Sequence, residues 1–267
     1  MQTSSIIVSG RKVSYHSGGD QGASRVLVLL HAFPVGITIW QSQLDAFHGW
    51  RVIVPALPGF DGSDLHGEAT VNAFAAHVSA FLDALGIQQA VFGGLSMGGY
   101  VLLALWRTQR ALIKGMILAD TRSGADSPEA RAGREKMLHE LTTGGPAVIA
   151  GQVIPKLLGG TTLRDRPAIA DLCRQRIEAQ PADAIASALR AMMTRPDAGS
   201  LLASIDVPTM VVVGDEDVLT PPSEAEQLQR NIAGASLVRI PGAGHLSSLE
   251  NPEAFNRATK EFLSSMA

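Results

Sequence analysis

The spacing of apolar positions divides the chain into two kinds of segment. In the first third, short apolar runs alternate with turn residues. Residues 5–9 and 12–16 flank Gly10 and predict a β-hairpin. The run Val26-Leu27-Val28-Leu29-Leu30, inside residues 25–31, has no polar face, as expected of a strand covered on both sides. Residues 51–54 form a second such run, ended by Pro55, and residues 38–47 between them have helical spacing. Residues 72–85 predict a firmer helix: Phe74, Val78, Phe81, Leu82 and Leu85 share one face, and Gly86 stops it. A short strand over 90–92, a helix over 97–108 and a strand over 115–119 follow. This alternation implies a parallel sheet with helices on both faces.

The pattern changes after Ala119. Across residues 121–205 the spacing predicts only helices, over 128–143, 147–158, 167–179 and 182–194. Strands return at 209–213 and 236–240 around a helix over 223–232, and a helix over 252–262 closes the chain. The expected organisation is one α/β core built from residues 1–120 and 206–267, with residues 121–205 as a helical cap.

Composition mostly narrows the options. A chain of 267 residues with 46% hydrophobic residues fills one large core. A net charge of −3 shows no basic surplus for nucleic acid, and the single Cys173 excludes an internal disulfide. The N-terminal run Ile6-Ile7-Val8 is too short for a signal-peptide core, and nothing approaches the roughly 18 apolar residues of a membrane span. The expectation is a soluble cytoplasmic protein with no membrane or nucleic-acid partner; the oligomeric state is left open.

One local motif carries chemistry. Gly93-Gly94-Leu95-Ser96-Met97-Gly98-Gly99 contains Gly-x-Ser-x-Gly, a weak pattern alone. Its flanks strengthen it: a buried strand leads in, and an apolar helix with Tyr100, Val101, Leu103, Ala104 and Leu105 leads out. That is the strand–turn–helix that holds a serine on a strained turn, where a side chain at position 94 or 98 would collide with its neighbours.

The motif resembles the nucleophile elbow of the α/β-hydrolase superfamily, in its single-domain esterase, lactonase and perhydrolase-like branch. Leu30-His31-Ala32-Phe33-Pro34 resembles the family's loop after the third strand, and Pro58-Gly59-Phe60-Asp61-Gly62-Ser63-Asp64 its loop after the fourth. Gly214-Asp215-Glu216-Asp217 and Gly242-Ala243-Gly244-His245 match its acid and histidine loops. The resemblance implies an α/β-hydrolase fold, a mostly parallel sheet flanked by helices.

A serine needs a base to become a nucleophile at neutral pH. Of seven histidines, His245 follows the strand over 236–240 in a glycine-rich loop and matches the family position. His31 is the rival, and the resemblance makes it structural. Asp217 occupies the family's acid position, with Asp120, at the end of the preceding strand, as the alternative; Asp215 and Glu216 read as solvated or capping residues. The order Ser96, Asp217, His245 is the superfamily's own. The backbone N–H of Met97, at the start of its helix, supplies one oxyanion donor, and the resemblance assigns the other to Phe33. Ala32 stands where the family usually has glycine, which is acceptable only with negative φ.

These residues predict a serine hydrolase cleaving small carboxylic esters through an acyl-enzyme, with an ester or lactone as small-molecule partner and no cofactor. His139-Glu140-Leu141-Thr142-Thr143 lacks the second histidine of a zinc helix. Alternatives are an enol-lactonase of the 3-oxoadipate type, a cofactor-free perhydrolase, acyl transfer to an alcohol, or a hydrolase-fold ligand receptor. The segment Leu118-Ala119-Asp120-Thr121-Arg122 resembles the lactonases, which would let Arg122 hold a substrate carboxylate; the plainer expectation is an ion pair with Asp120 or a solvated loop residue. Trp40, Met192, Met193 and Leu219 are further expected pocket residues.

Overall fold

The computed structural model describes residues 3–266, which leaves Met1, Gln2 and Ala267 outside the described residues. Eight strands form one sheet in the order β1-β2-β4-β3-β5-β6-β7-β8. The hairpin β1 (Ser4–Val8) and β2 (Arg11–Gly19) turns through Ser9 and Gly10, both at positive φ, and packs antiparallel on one edge. The other strands run parallel: β3 (Val26–Leu30), β4 (Arg51–Pro55), β5 (Ala90–Leu95), β6 (Ile113–Ala119), β7 (Thr209–Gly214) and β8 (Ser236–Ile240). Every residue of β3, β5 and β7 is buried, which accounts for runs without alternation, whereas the edge strand β1 alternates.

Residues 37–43 form a 3-10 helix instead of the predicted α-helix. Helix α1 (Val71–Ala84) is capped by Thr70, whose hydroxyl accepts from the Ala73 N–H at 3.1 Å, and α2 (Met97–Thr108) starts directly after Ser96. Between β6 and β7 lie α3 (Pro128–Leu157), α4 (Gly160–Asp165), α5 (Pro167–Glu178) and α6 (Ala182–Met193), with no strand among them. The two helices expected over 128–143 and 147–158 are both present as the two arms of α3, separated at Gly145 (φ 64, ψ −167), a conformation natural to glycine and followed by Pro146. Helix α7 (Pro222–Asn231), the short α8 (Ser247–Glu250) and α9 (Pro252–Ser264) complete the chain. Among the described residues no helix is long and apolar enough to cross a membrane.

The parallel arrangement decides where chemistry can gather. The carboxyl ends of β5, β6, β7 and β8 lie side by side, with Leu95 opposite Ala119, Ala119 opposite Val212, and Gly214 opposite Ile240. The residues that follow these ends therefore meet at one rim of the sheet, the usual place for ligands in such folds.

Candidate active site

Ser96 sits between β5 and α2 at φ 54, ψ −111, a left-handed conformation that a side-chain-bearing residue adopts only when its surroundings force it. The forcing is visible. A Cβ on Gly98 would stand 2.2 Å from the Leu30 carbonyl oxygen, and one on Gly94 would stand 2.5 Å from the Gly98 oxygen. Only glycine lets α2 begin this close to β3 and β5. The Ser96 N–H donates to the Ala119 carbonyl at 2.9 Å, and the Thr121 hydroxyl donates to the Ser96 carbonyl at 2.9 Å, so the turn is held from β6 on both sides.

Three distant side chains converge here. Ser96 Oγ lies 2.7 Å from His245 Nε2, and His245 Nδ1 lies 2.8 Å from Asp217 Oδ2. The Asp217 carboxylate is saturated with donors: the N–H groups of Leu219 (2.8 Å) and Thr220 (3.0 Å) reach Oδ1, and the Thr220 hydroxyl reaches Oδ2 at 2.7 Å. Burial alone would push this carboxyl up, but His245 and the Thr220 donors outweigh it and hold Asp217 below the ordinary carboxylate value. An ionised Asp217 keeps the proton on Nδ1 and leaves Nε2 free to accept from Ser96.

The alternative residues are placed elsewhere. Asp120, at φ 45, accepts from the Gly214 N–H (2.8 Å), the Ser247 hydroxyl (2.5 Å) and the Ser247 N–H (3.2 Å), and it makes no hydrogen bond to His245. Burial and the nearby Asp217 push its carboxyl well above the usual range. His31 Nδ1–H donates to the Ala32 carbonyl at 3.1 Å and Nε2 accepts from the Leu57 N–H at 3.1 Å, so both ring nitrogens are engaged in joining two loops. Glu216 accepts from the N–H and hydroxyl of Thr161 and fastens α4 to the β7 loop.

Met97 follows Ser96 directly and Phe33 lines the same cavity as Ser96, and among the described residues neither backbone N–H donates to another protein group. Ala32 has negative φ, so the alanine in place of glycine leaves that loop unstrained.

A cavity of about 290 Å³ opens in front of Ser96 and His245. Arg122, Met192 and Leu219 line it, as expected, together with Phe33, but Trp40 and Met193 do not. Trp40 is wholly buried and packs on Phe255 with ring centroids 5.7 Å apart; its apolar spacing marked core, not pocket. Met193 follows Met192 on α6, and a step of about 100° around the helix turns it away when Met192 faces the cavity. Arg122 pairs with Asp126 at 3.0 Å and not with Asp120. Tyr100, Met137, Val153 and Leu157 also line the cavity, and sequence spacing alone did not distinguish them from core residues.

A buried carboxylate missed by sequence reasoning organises the histidine loop. Glu250, with no exposed surface, accepts from the N–H groups of Gly244 (2.9 Å) and Leu246 (3.1 Å), on either side of His245, and of Gly159 (2.8 Å), between α3 and α4. The His245 N–H itself donates to the Leu157 carbonyl at 3.0 Å. Among the described residues no group of three or more His, Cys, Asp or Glu side chains is placed to hold a metal ion.

A parallel sheet with a strained serine, a histidine and a carboxylate at its carboxyl rim is the architecture of a hydrolase. The chain belongs to the alpha/beta hydrolase family, whose sequence profile matches residues 27–258. A thermophilic esterase from Thermogutta terrifontis, solved with malate bound, superposes with a TM-score of 0.92 at 36% identity, covering 100% of this chain and 99% of that one. An enol-lactonase from Burkholderia xenovorans LB400 superposes with a TM-score of 0.90 at 26% identity, covering 98% and 100%. In sequence, 3-oxoadipate enol-lactonase 1 of Acinetobacter baylyi is 26% identical over 258 residues, 96% of this chain and 95% of that protein.

Proposed function

We propose that the protein hydrolyses carboxylic esters, including the cyclic esters of lactones, with Ser96 as nucleophile, His245 as general base and acid, and Asp217 as the residue that orients and charges the histidine. The unbroken contact from Ser96 Oγ through the imidazole to Asp217, at 2.7 and 2.8 Å, carries this reading. Nε2 takes the Ser96 proton as Oγ forms a bond to the carbonyl carbon. The carbonyl oxygen becomes an oxyanion between the N–H groups of Met97 and Phe33. Its collapse breaks the bond to the alkoxy oxygen, which leaves with the proton from Nε2. Water then repeats the sequence on the acyl-serine, releasing the acid and restoring Ser96. In a lactone both fragments stay joined, so one hydroxy acid leaves.

The helical segment over 121–205 acts as a cap, since α3 and α6 contribute Met137, Val153, Leu157 and Met192 to the cavity above Ser96. Names among the relatives support both ester and lactone substrates: an esterase and two enol-lactonases. The decisive test is Ser96→Ala, assayed on a panel of 4-nitrophenyl esters and lactones. Turnover should fall by on the order of 10⁴ or more, with the fold intact by circular dichroism; a variant retaining a tenth of the native rate removes Ser96 from the mechanism.

A further inference from the structure

An oxyanion donor must be set to within about an ångström, so whatever holds the Phe33 N–H decides how well it works. The loop after β3 has little hold of its own there. Among the described residues, no backbone donor or acceptor of Phe33, Pro34 or Val35 is hydrogen-bonded to protein. The loop is gripped at its two ends instead, and both grips come from residues 57–61, after β4. At the near end His31 donates to the Ala32 carbonyl at 3.1 Å and accepts from the Leu57 N–H at 3.1 Å, with the Phe60 ring 5.1 Å from its own. At the far end the Ile37 N–H donates to Asp61 Oδ2 at 2.8 Å. The approach is close: a Cβ on Gly36, at φ 85, would stand 2.2 Å from that same oxygen.

Asp61 is an unusual residue for its place. Its φ of 49 lies in the left-handed region, which glycine enters freely and a residue with a side chain enters only when other contacts compensate. Two bonds to Gln180 compensate: Gln180 Nε2 donates to Asp61 Oδ1 at 2.9 Å, and the Asp61 N–H donates to Gln180 Oε1 at 3.0 Å. Gln180 is 4% exposed and lies between α5 and α6, so this reciprocal pair joins the helical segment to the grip. Gly59 lies close to the same helices, since a Cβ there would stand 2.7 Å from Ala184 Cβ on α6. Direct contacts therefore run from the α5–α6 joint through Gln180 and Asp61 to the loop that carries Phe33.

We propose that Asp61 is a positioning residue of the oxyanion hole, holding the Phe33 loop through Ile37 and held in turn by Gln180 of the helical segment. The proposal rests on the ester-hydrolase reading for the use made of the Phe33 N–H, and the grip itself does not.

Asp61→Gly removes the carboxylate while suiting the backbone, so the fold should survive it. With 4-nitrophenyl butyrate, kcat should fall about 10-fold or more, part of the roughly 10²–10³ lost with a whole oxyanion donor. KM should move by less than about 3-fold. Two matched ketones separate the hole from the pocket. Butyl trifluoromethyl ketone accepts Ser96 Oγ at its carbonyl carbon, the serine proton passes to His245 Nε2, and an oxyanion is left in the hole; butyl methyl ketone stays planar. Asp61→Gly should weaken the first by the same factor as kcat and leave the second unchanged. Asp61→Asn should also lose rate, because its amide offers one acceptor oxygen to two donors. Adding Gln180→Glu should restore kcat to within about 3-fold of native, since the new amide NH₂ then meets a carboxylate that still accepts the N–H of position 61. Hydrogen exchange needs no substrate: amides of residues 32–37 should exchange faster in Asp61→Gly, while those around His245 do not. Native kcat in Asp61→Gly, or equal weakening of both ketones, overturns the proposal and leaves the ester-hydrolase reading standing. Absence of ester turnover in the native enzyme sinks that reading instead, and unchanged exchange of residues 32–37 then overturns the grip as well.

Discussion

Glu250→Ala is the most informative stability test, because the structure sets its size. The carboxylate accepts three backbone N–H groups at 2.8, 2.9 and 3.1 Å in a place with no exposed surface. Each buried donor left without a partner costs about 1–3 kcal/mol, and the cavity left by the side chain admits water that recovers part of this. The net loss should be about 3–5 kcal/mol, a large share of the roughly 5–15 kcal/mol that holds a domain folded. Urea unfolding, with the slope m unchanged, measures it directly. Glu250→Gln should fall between the two, since an amide offers one acceptor oxygen and turns its NH₂ toward donors. Two of the three donors flank His245, so the folded fraction of either variant should also lose kcat. A loss under about 1 kcal/mol for Glu250→Ala would refute the claim that this carboxylate holds the loop.

Two further results are expected. Asp217→Asn should lower kcat/KM by on the order of 10³ or more, as removal of an orienting carboxylate does, whereas Asp120→Asn should cost under about 10-fold, because Asp120 bonds Gly214 and Ser247 and not the imidazole; the reverse ranking would reassign the acid. The His77 ring, lowered to about 4 by burial, takes up its proton in the unfolded chain near pH 6.5 but resists it when folded, so stability should fall as pH drops from about 6.5 to 4, by about 3 kcal/mol over that window; urea midpoints of His77→Gln that keep the full native slope would argue against that histidine as the source.

The legible parts of the chain were those whose signal is local. Gly94 and Gly98 announce the strained serine because backbone approaches within 2.5 Å leave no alternative residue. Helix α2 and strand β8 begin and end where the apolar spacing does. The strand β5 was read too short, since Gly93 and Gly94 look like a turn although they still pair with Ile117 and Leu118. The helices α4 and α8 were missed because six- and four-residue elements carry no periodicity. Asp126 and Glu250 were invisible for another reason. Glu250 reaches back 91 residues to a backbone N–H, and Asp126 reaches forward 69 to Arg195; only folding brings these groups together.

The attachments of the helical segment bear on how the cavity can open. Its Leu157–Gly159 end is tied to the histidine loop twice, through His245 N–H to Leu157 and through Gly159 N–H to Glu250. Lifting that end would pull the imidazole off the serine, so it serves as a fulcrum. The far arm of α3, ahead of the break at Gly145, is held elsewhere, through Arg134 to Asp126 in the loop after β6, and it carries Met137 on the cavity wall. A change in the arm that walls the cavity therefore need not disturb the arm that aligns the imidazole, because the chain breaks at Gly145 between them.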